Sequence, residues 1–513
     1  MSLSEDLNDR VDSKILRDIM SFGKIGYEKE SVRSINNNIT KSFHPKSLGS
    51  KLCNKFITTD FAEAQLELIT PPIDNQLSGL SFLEDLHHFV SKNLDDKEII
   101  WPFSMPPLFN SEDDINIANF GSSNLGLFKE LYRIGLSNRY GRTMQSISGI
   151  HFNYSLNSEI LESQTFKDKD TLPSETKSDR YFGVLRNIYR INWIILYLFG
   201  ASPVVNKNLI QKDLTSFIKL DNETYYLPHA TSLRMSNLGY HNSNRLNLSP
   251  SLNNLSDYIS DLSLATKTNN KDFESINNDC QLNSNILQID DEYYAIARPK
   301  SDLEGDDKST SKLKKEGVSY IELRSLDLNP FSRVGIDINT AYFLEVLMIL
   351  CCLKPSKSLS RKDLDIIREN DLLVAKEGRK PNLFLKKDGN KIALKEWGKQ
   401  IIESMLPIAE MLDKNQSAYT QAINQAKEKI ENPSKTLSGL LLDKVQKGAA
   451  SFLELGNSIG SENKKHYLSV SKKENKNWLS FEKEADRSIN QQRILESDNE
   501  ESFNKFKSRY FKK

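Results

Sequence analysis

Polar and apolar residues alternate with a period of two in four segments of the chain. The segments run from Gly26 to Val32, from Gln65 to Thr70, from Ser148 to Ser155 and from Tyr320 to Asp327. Successive side chains of a β-strand point to opposite faces, so this alternation predicts four strands, each with two chemically different faces.

Other segments repeat apolar residues at the spacing of a helix. Apolar residues three or four positions apart predict amphipathic helices over Asp6 to Phe22, Gln76 to Leu94, Leu125 to Gly141, Ala393 to Leu412 and Ser417 to Glu431. Tyr181 to Phe199 is apolar on more than one face, which predicts a buried helix that ends at Gly200. Taken alone, periodicity therefore predicts a mixture of helices and strands.

The predicted strands carry acidic residues in a pattern that suits a metal ion. Glu28 and Glu30 share one strand face, and Glu67 projects from a mostly apolar strand. Carboxylates held side by side repel one another unless water or a hard divalent cation such as magnesium or calcium lies between them. A solvated edge of a sheet is the alternative explanation.

Two further strands offer groups for the same kind of site. His151 lies on one face of its strand, and Glu322 and Arg324 share a face of theirs. A single histidine in an apolar strand is otherwise typical of a hydrogen-bonded core residue. Asp60 precedes the strand of Glu67 and is a candidate ligand, although its side chain is also suited to capping the following element.

Arginines outside these strands have two interpretations. Arg234, between Tyr226 and Tyr240, is suited to clamp a substrate carboxylate with two parallel hydrogen bonds, or else it pairs with Asp221 or Glu223. On the helix from Leu125 we expect Leu127, Leu131, Ile134 and Leu136 to face inward and Arg133 and Arg139 to face water. The charged stretch from Pro299 to Glu316 predicts a mobile loop.

The composition of the chain argues against several classes of protein. The 513 residues include 69 Lys plus Arg and 69 Asp plus Glu, so the chain lacks the net charge that attracts nucleic acid or an anionic membrane. Four cysteines without a C-x-x-C spacing indicate a reducing compartment. No secretory signal opens the sequence, and its longest apolar runs are too short to span a bilayer. We therefore expect a cytoplasmic protein with no membrane partner.

Beyond these features, a set of motifs resembles the glutamate-cysteine ligase family of the proteobacterial type. The resemblance runs from about Lys24 to about Lys386, with every motif in the family's order. The motifs are G-x-E-x-E from Gly26, TTDFAEAQLELITPP from Thr58, WPFSMPP from Trp101, LYRIGLSNRYG from Leu131, MQSISGIHFNYS from Met144, LFGASP from Leu198, YYLPHATSLRMSNLGY from Tyr225 and YIELRSLDLNPFSRVGID from Tyr320.

The resemblance implies a fold, a reaction and its substrates. The fold is α+β, with a curved, mostly antiparallel sheet that forms a funnel surrounded by helices, similar to glutamine synthetase and the guanido kinases. The reaction joins L-glutamate to L-cysteine through a γ-glutamyl phosphate made with ATP. Two or three Mg²⁺ ions are implied, with Mn²⁺ as a substitute. A monomer is expected, and glutathione is left open as a feedback inhibitor.

The same resemblance assigns roles to individual residues. The implied metal ligands are Glu28, Glu30, Asp60, Glu67, His151 and Glu322. Glu322 and Arg324 are the implied catalytic residues, and Arg324 is suited to stabilise the transferring phosphoryl group. The implied substrate-binding residues are Tyr132, Gln145, Ile147, Arg234 and Tyr240, and Arg379 is a candidate for the ATP phosphates.

Domain organisation and two competing functions complete the expectations. Residues 1–470 are expected to form one catalytic domain and residues 471–513 a charged C-terminal helix or tail with a solvated end. A metal-dependent hydrolase with the same acids and a binding protein without catalysis are the alternatives. Neither alternative requires the consumption of ATP.

Overall fold

The computed structural model describes residues 23–156, 177–210, 214–239, 248–413, 416–448, 450–498 and 501–512. The helix predicted over Asp6 to Phe22 and the candidate Tyr240 lie outside these residues. All four cysteines are described, and each is a free thiol. None of the described helices has the length and hydropathy of a membrane span.

Eight strands form one antiparallel sheet in which β1 is central. The order is β10-β11-β6-β1-β4-β3, and β2 and β5 also pair with β1. These strands are β1 (Ile25–Ile35), β2 (Asn38–Ile39), β3 (Ile57–Thr59), β4 (Gln65–Ile69), β5 (Ile99–Ile100), β6 (Ile150–Tyr154), β10 (Ala297–Lys300) and β11 (Tyr320–Leu326). The sequence predicted β1, β4, β6 and β11, and the structure confirms all four.

Two smaller antiparallel sheets lie at other places in the fold. One has the order β7-β9-β8 and the other pairs β12 with β13. Their strands are β7 (Val204–Asn206), β8 (Ile218–Lys219), β9 (Thr224–Tyr226), β12 (Phe384–Lys387) and β13 (Asn390–Ala393).

Helices account for most of the remaining chain, so the fold is α+β. The α-helices are α1 (Gln76–Asn93), α2 (Asn124–Tyr140), α3 (Arg142–Gln145), α4 (Lys177–Phe199), α5 (Leu255–Ala265), α6 (Ser309–Glu316), α7 (Ile338–Leu353), α8 (Arg361–Glu377), α9 (Leu394–Leu412), α10 (Ala418–Glu431), α11 (Leu437–Lys447), α12 (Phe452–Ser469), α13 (Trp478–Ser497) and α14 (Phe503–Lys512). Helices α1, α2, α4, α9 and α10 confirm the predictions from apolar spacing.

The main core lies between the large sheet and the helices α4 and α7. Both helices are apolar around most of their circumference, and they pack against each other while α4 also contacts β10 and β11. Such a helix is stable only when it is covered on several sides. The backs of the strands supply the facing surface, because Tyr27 and Phe152 are fully buried and their ring centroids lie 5.8 Å apart.

The C-terminal helices pack more closely than the sequence suggested. Phe481 of α13 contacts Phe82 of α1, with ring centroids 5.3 Å apart, and lies in the main core. Helix α14 covers Phe128, whose ring centroid is 4.4 Å from that of Tyr510. The described end is therefore solvated, since no residue of α14 is buried, but three of its aromatic side chains pack on Phe128. The division at residue 470 stays a prediction.

Three local expectations are also corrected. The stretch predicted as a loop contains the helix α6, which buries Leu313 and Thr310. Leu127 is 38% exposed rather than inward. Arg139 is buried and forms an ion pair with Glu292 at 3.0 Å, because the segment from Asn278 to Glu292 covers this side of α2.

A buried ion pair anchors the far end of β1. Arg33 donates from Nη1 to both carboxylate oxygens of Glu98 at 2.9 and 3.0 Å, and the two side chains are 0% and 1% exposed. Thr40 donates a further hydrogen bond to Glu98 at 2.8 Å. Removal of one charge would leave the other buried and unpaired.

We expect Glu98→Gln to lower the free energy of unfolding by about 3–5 kcal/mol, because Arg33 loses its counter-charge in a dry environment. Urea denaturation measures this quantity. The matched control is Glu428→Gln, which breaks the exposed pair with Lys435 and is expected to cost about 1 kcal/mol or less. Equal losses in the two variants would contradict the assignment of Arg33 and Glu98 as a stabilising anchor.

Candidate functional site

Strand register brings the predicted acids together on one face of the large sheet. Glu30 of β1 is directly opposite Glu67 of β4, and Glu28 is directly opposite His151 of β6. Glu322 of β11 is opposite Asn153, two positions along β6 from His151. Residues separated by up to 294 positions in the chain therefore meet because four neighbouring strands each contribute the same face.

His151 lies at the centre of this carboxylate cluster, which we define as Glu28, Glu30, Glu67, His151 and Glu322. Its Nδ1 is 3.2 Å from Glu28 and 3.5 Å from Glu322, and its Nε2 is 3.4 Å from Glu30. Ligand atoms of Glu28, Glu67 and His151 all lie within 4.8 Å of one another. His151 is thus both a buried, hydrogen-bonded histidine and a neighbour of several carboxylates, so its role as a metal ligand stays a prediction.

Asp60 approaches the cluster from the turn before β4. Its backbone N–H donates to Gln65 at 3.0 Å, and its carbonyl accepts a hydrogen bond from Arg133. The Asp60 charge also raises the pKa of Glu30 and of Glu67. Asp60 is thus held beside the other acids, and Arg133 faces this site rather than solvent.

The surroundings of the acids raise the pKa of some of them and lower the pKa of others. Burial, together with the charges of Asp60, Glu28 and Glu30, raises the pKa of Glu67 well above its ordinary value. Burial also acts to raise the pKa of Glu322, but Lys300, Arg324 and His151 outweigh it and hold that pKa well below its usual range. Burial also acts to raise the pKa of Glu28, but the hydrogen bond with His151 and the charges of His151 and Lys300 together outweigh it, so that this pKa is lowered.

The cluster fits a hard divalent cation. The side chain of Glu67 has no hydrogen bond or ion pair among the described residues, and the buried Nε2 of His151 and Oε2 of Glu322 have only ion-pair neighbours there and no hydrogen bond. Oxygen atoms of carboxylates are the ligands that magnesium and manganese prefer. Cations placed between these groups would remove the repulsion and use the unpaired atoms.

Two neighbours of the cluster were missed by the sequence analysis. Asn153 donates to Glu28 at 2.7 Å, and Lys300 of β10 lies 3.6 Å from Glu322. The period of two that placed His151 also places Asn153 on the same face, so its signal was present in the sequence. Lys300 had no such signal, because its position depends on the pairing of β10 with β11.

Arg324 connects the cluster to a cleft. Its Nη1 is 3.0 Å from Glu322, and its side chain also lines a cleft of about 1100 Å³ that is open to solvent. Aromatic and aliphatic side chains form most of the lining, with Arg234, Arg368, Glu292 and Asp371 among the polar groups. The cleft is the place where an organic substrate could meet groups bound at the cluster.

Arg234 lies in this lining but is also part of the fold. Its Nη2 donates to the carbonyl of Arg324 at 2.9 Å, and its Nη1 is 3.9 Å from Asp327. A Cβ atom at Gly149 would come within 2.2 Å of the guanidinium, so a glycine is required there. The alternative that Arg234 pairs with an acid of the fold holds for Asp327. The two acids named as examples were wrong, because Asp221 caps its own turn and Glu223 pairs with Lys207 at 2.8 Å.

The remaining predicted residues have different surroundings. Gln145 accepts a hydrogen bond from Tyr294 of the cleft at 2.7 Å, and its buried Nε2 has no hydrogen-bond partner among the described residues. Tyr132 packs beside the core on α2 and is half-buried. The side chain of Ile147 is fully buried in the core, its N–H donates to the carbonyl of Met144 at 3.2 Å, and its carbonyl accepts a hydrogen bond from Gln65 at 3.5 Å. Arg379 donates to the carbonyls of Pro228 and Ala230 at 2.7 and 3.2 Å.

Comparison of the whole sequence with models of known families identifies the family of this chain. The family model described as glutamate-cysteine ligase matches residues 7–374, which is more than half of the chain. This chain belongs to the glutamate-cysteine ligase family. The resemblance stated from the motifs is therefore confirmed, and so is the enzyme class, an ATP-dependent ligase.

Relatives of this family match along nearly the full length. Glutamate-cysteine ligase of Aliivibrio fischeri (strain MJ11) is 36% identical over 502 residues, which cover 95% of this chain and 95% of that protein. A crystal structure of the Francisella tularensis glutamate-cysteine ligase in complex with AMP has a TM-score of 0.89 at 33% identity and covers 96% of this chain and 98% of that one.

A larger protein contains a similar unit. The crystal structure of a bifunctional glutathione synthetase from Pasteurella multocida has a TM-score of 0.68 at 25% identity, and the match covers 89% of this chain and 53% of that one. The similarity therefore extends over about half of that protein.

We expect Glu67→Gln to raise the melting temperature of the ligase at pH 8 in EDTA and to reduce the stabilisation that Mg²⁺ provides. The pKa of Glu67 is raised in the fold, so ionisation of this group destabilises the folded state. The penalty is absent below the unfolded pKa of about 4.3 and grows as the pH rises through the folded pKa. Wild type should therefore lose stability relative to the variant between pH 5 and pH 8.

Thermal unfolding at both pH values, with EDTA and with Mg²⁺, measures these effects. The matched control is Glu403→Gln, which neutralises an exposed acid on α9 and should change neither the pH dependence nor the effect of Mg²⁺. A Glu67→Gln protein that is no more stable than wild type at pH 8 in EDTA would contradict the repulsion within the cluster.

Proposed function

We propose that this chain joins the γ-carboxylate of L-glutamate to the amine of L-cysteine, with ATP converted to ADP and phosphate. The product is γ-glutamylcysteine, and the reaction is the first step of glutathione synthesis. The observation that carries the proposal is the carboxylate cluster with Arg324 at the mouth of a cleft, in a chain of this family.

The chemistry explains why such a site is needed. A carboxylate and an amine do not condense in water, so the glutamate γ-carboxylate is first phosphorylated by ATP and the resulting γ-glutamyl phosphate is attacked by the amine. Phosphoryl transfer depends on positioning and on charge neutralisation rather than on a protein nucleophile. A serine or cysteine nucleophile is accordingly not part of the proposal.

The metal ligands we propose are Glu28, Glu30, Asp60, Glu67, His151 and Glu322. Bound there, two or three Mg²⁺ ions, or Mn²⁺ in their place, would neutralise the triphosphate and its transferring phosphoryl group. Lys300 and Asn153 would position these ligands, since Lys300 forms an ion pair with Glu322 and Asn153 donates a hydrogen bond to Glu28. The raised pKa of Glu67 and the lowered pKa of Glu322 support a role of the cluster in binding positive charge.

Arg324 and Glu322 are the residues we propose for catalysis. The guanidinium of Arg324 is held by Glu322 and is partly exposed toward the cleft. Its fixed donors are suited to the equatorial oxygens of the phosphoryl group in the transition state. Glu322 thus has two roles, as a metal ligand and as the group that orients Arg324.

For the amino-acid substrates we propose a pocket around Arg234. The guanidinium would hold an α-carboxylate, with Tyr132, Gln145, the main chain of Ile147 and Tyr240 as further contacts. The unpaired amide of Gln145 beside Tyr294 supports this placement. We assign Arg379 to the ATP phosphates, although the same guanidinium already donates to two carbonyls.

Several broader features belong to the same proposal. The antiparallel sheet would form a funnel of the kind found in glutamine synthetase and the guanido kinases, in a catalytic domain of residues 1–470 with 471–513 as its C-terminal extension. The enzyme would act as a cytoplasmic monomer subject to feedback by glutathione. The resemblance to the family supports the fold, the domain bounds, the monomer and the feedback. The four free cysteine thiols support a reducing compartment such as the cytoplasm.

We expect phosphate release from MgATP only when glutamate and cysteine are both present. A coupled assay with each amino acid omitted in turn measures this, and detection of γ-glutamylcysteine by mass spectrometry identifies the product. Release of phosphate at the full rate without either amino acid would indicate a hydrolase.

Because Glu28→Gln removes a proposed metal ligand, it should lower turnover by at least about 100-fold, whereas a binding protein would show no turnover in either form.

We expect Arg234→Lys to raise the Michaelis constant for one amino acid, since lysine keeps the charge but loses the two parallel hydrogen bonds. The penalty is on the order of 1.5–3 kcal/mol for a hydrogen bond to a charged group, and the constant for ATP should change less. The matched control is Asp327→Asn, which disturbs the buried neighbour of Arg234 away from the substrate. If both variants lose stability and neither changes the amino-acid constant, the clamp assignment is wrong.

A further inference from the structure

Helix α14 packs on a small apolar cluster that is separate from the main core. The buried members of this cluster are Phe128 of α2, Leu282 and Ile289. Four aromatic side chains of α14 pack against them, namely Phe503, Phe506, Tyr510 and Phe511. None of the site residues predicted from the sequence lies on this helix.

The cluster connects α14 to a residue that we propose to bind substrate. The ring centroid of Phe128 lies 4.4 Å from that of Tyr510 and 6.0 Å from that of Phe506, distances typical of favourable aromatic pairs. Phe128 and Tyr132 are four residues apart on α2, so their side chains are neighbours on one face of that helix. Tyr132 also packs against the cluster. The aromatic rings of α14 therefore support the face of α2 that carries Tyr132.

The backbone of α2 at this point is fixed separately. Gln288, which is fully buried, donates from Nε2 to the carbonyl of Tyr132 at 3.3 Å. A Cβ atom at Gly135 would come within 2.0 Å of the Gln288 side chain, so α2 and Gln288 are in close contact. Loss of the α14 rings would therefore leave α2 folded, with less support for the side chains on its Tyr132 face.

A second set of contacts joins α14 to the segment between β10 and α6, residues 301–308. Nζ of Lys308 donates to the carbonyl of Phe511 at 3.0 Å and lies 5.9 Å from the centroid of the Tyr510 ring. Carbonyls in the last turn of a helix have no partner within the helix, and a cation near them is favourable. Lys308 therefore fastens this segment to the C-terminal end of α14.

The same segment lies close to the carboxylate cluster. Burial lowers the pKa of Lys129 of α2, and the charges of Asp306 in the segment and of Glu67 in the carboxylate cluster oppose this shift. One lysine is thus near an acid of each. The segment also follows directly after Lys300, which lies 3.6 Å from Glu322. Helix α14 consequently joins two parts of the chain that border the proposed active site.

We propose that α14 is a positioning element for the ligase reaction, which holds the Tyr132 face of α2 and residues 301–308 together beside the carboxylate cluster. The helix touches no substrate and acts through Phe128 and Lys308. Its effect is to order the amino-acid pocket before the substrate binds, which lowers the entropic cost of binding. The inference rests on the proposed function, because the order of this pocket affects turnover only if an amino acid binds there.

Steady-state kinetics of the full chain test the proposal. We expect Tyr510→Ala to raise the Michaelis constant for one amino acid by about tenfold, because a less ordered pocket binds its substrate less tightly. The value of kcat and the Michaelis constant for ATP should change less. Tyr510→Phe keeps the ring and should restore the wild-type constant. The matched control is Lys505→Ala, which changes an exposed residue of the same helix and should have no effect.

Hydrogen exchange followed by mass spectrometry tests the contacts without turnover. Tyr510→Ala should speed exchange in residues 128–136 and 301–308 as well as in α14, whereas Lys308→Met should speed it chiefly in residues 301–308. Faster exchange confined to α14, together with unchanged amino-acid constants, would overturn the proposal and leave α14 as a surface helix only. A wild-type protein without ligation would instead refute the proposed function, and the exchange pattern would still decide whether α14 holds these two parts of the chain together.

Discussion

Repulsion between carboxylates is the constraint on which the site depends. Glu28, Glu30, Glu67 and Glu322 are held on one face of a sheet at distances where like charges oppose each other, and burial increases the cost. Antiparallel register keeps them there, because every strand is fixed by backbone hydrogen bonds and by a buried opposite face. The apolar packing of Tyr27 and Phe152 behind the acids thus stabilises a front face that is unfavourable by itself.

Cationic groups reduce the repulsion only in part. Lys300 and Arg324 act on Glu322, and His151 acts on Glu28, whereas Glu67 has no such neighbour bonded to it. The site is therefore asymmetric, with one end that stays ionised and one end whose ionisation is unfavourable until positive charge arrives. An arrangement of this kind binds divalent cations together with a polyphosphate better than it binds either alone, since each neutralises the other.

Arg234 and Arg324 connect the acidic face of the sheet to the cleft. Arg234 lies against Gly149, donates to the carbonyl of Arg324 and approaches Asp327, so the side chain proposed to bind substrate is also part of the fold. The Asp327 carboxylate in turn accepts hydrogen bonds from Ser202 and Ser232 at 2.6 and 2.9 Å. A substitution at Arg234 therefore removes a hydrogen bond to the backbone of Arg324 as well as the proposed substrate contact.

The sequence by itself determined four strands of the large sheet, the helices with regular apolar spacing and the family. A period of two was sufficient to place Glu28 with Glu30 and Glu322 with Arg324, because side-chain direction along a strand is a local property. Only the tertiary structure decided which strands are neighbours, and therefore that Lys300 reaches Glu322, that Arg139 is buried by a distant segment and that α14 covers Phe128. Contacts of this kind join segments that are 22 to more than 300 positions apart in the chain, and no local pattern specifies which segments meet.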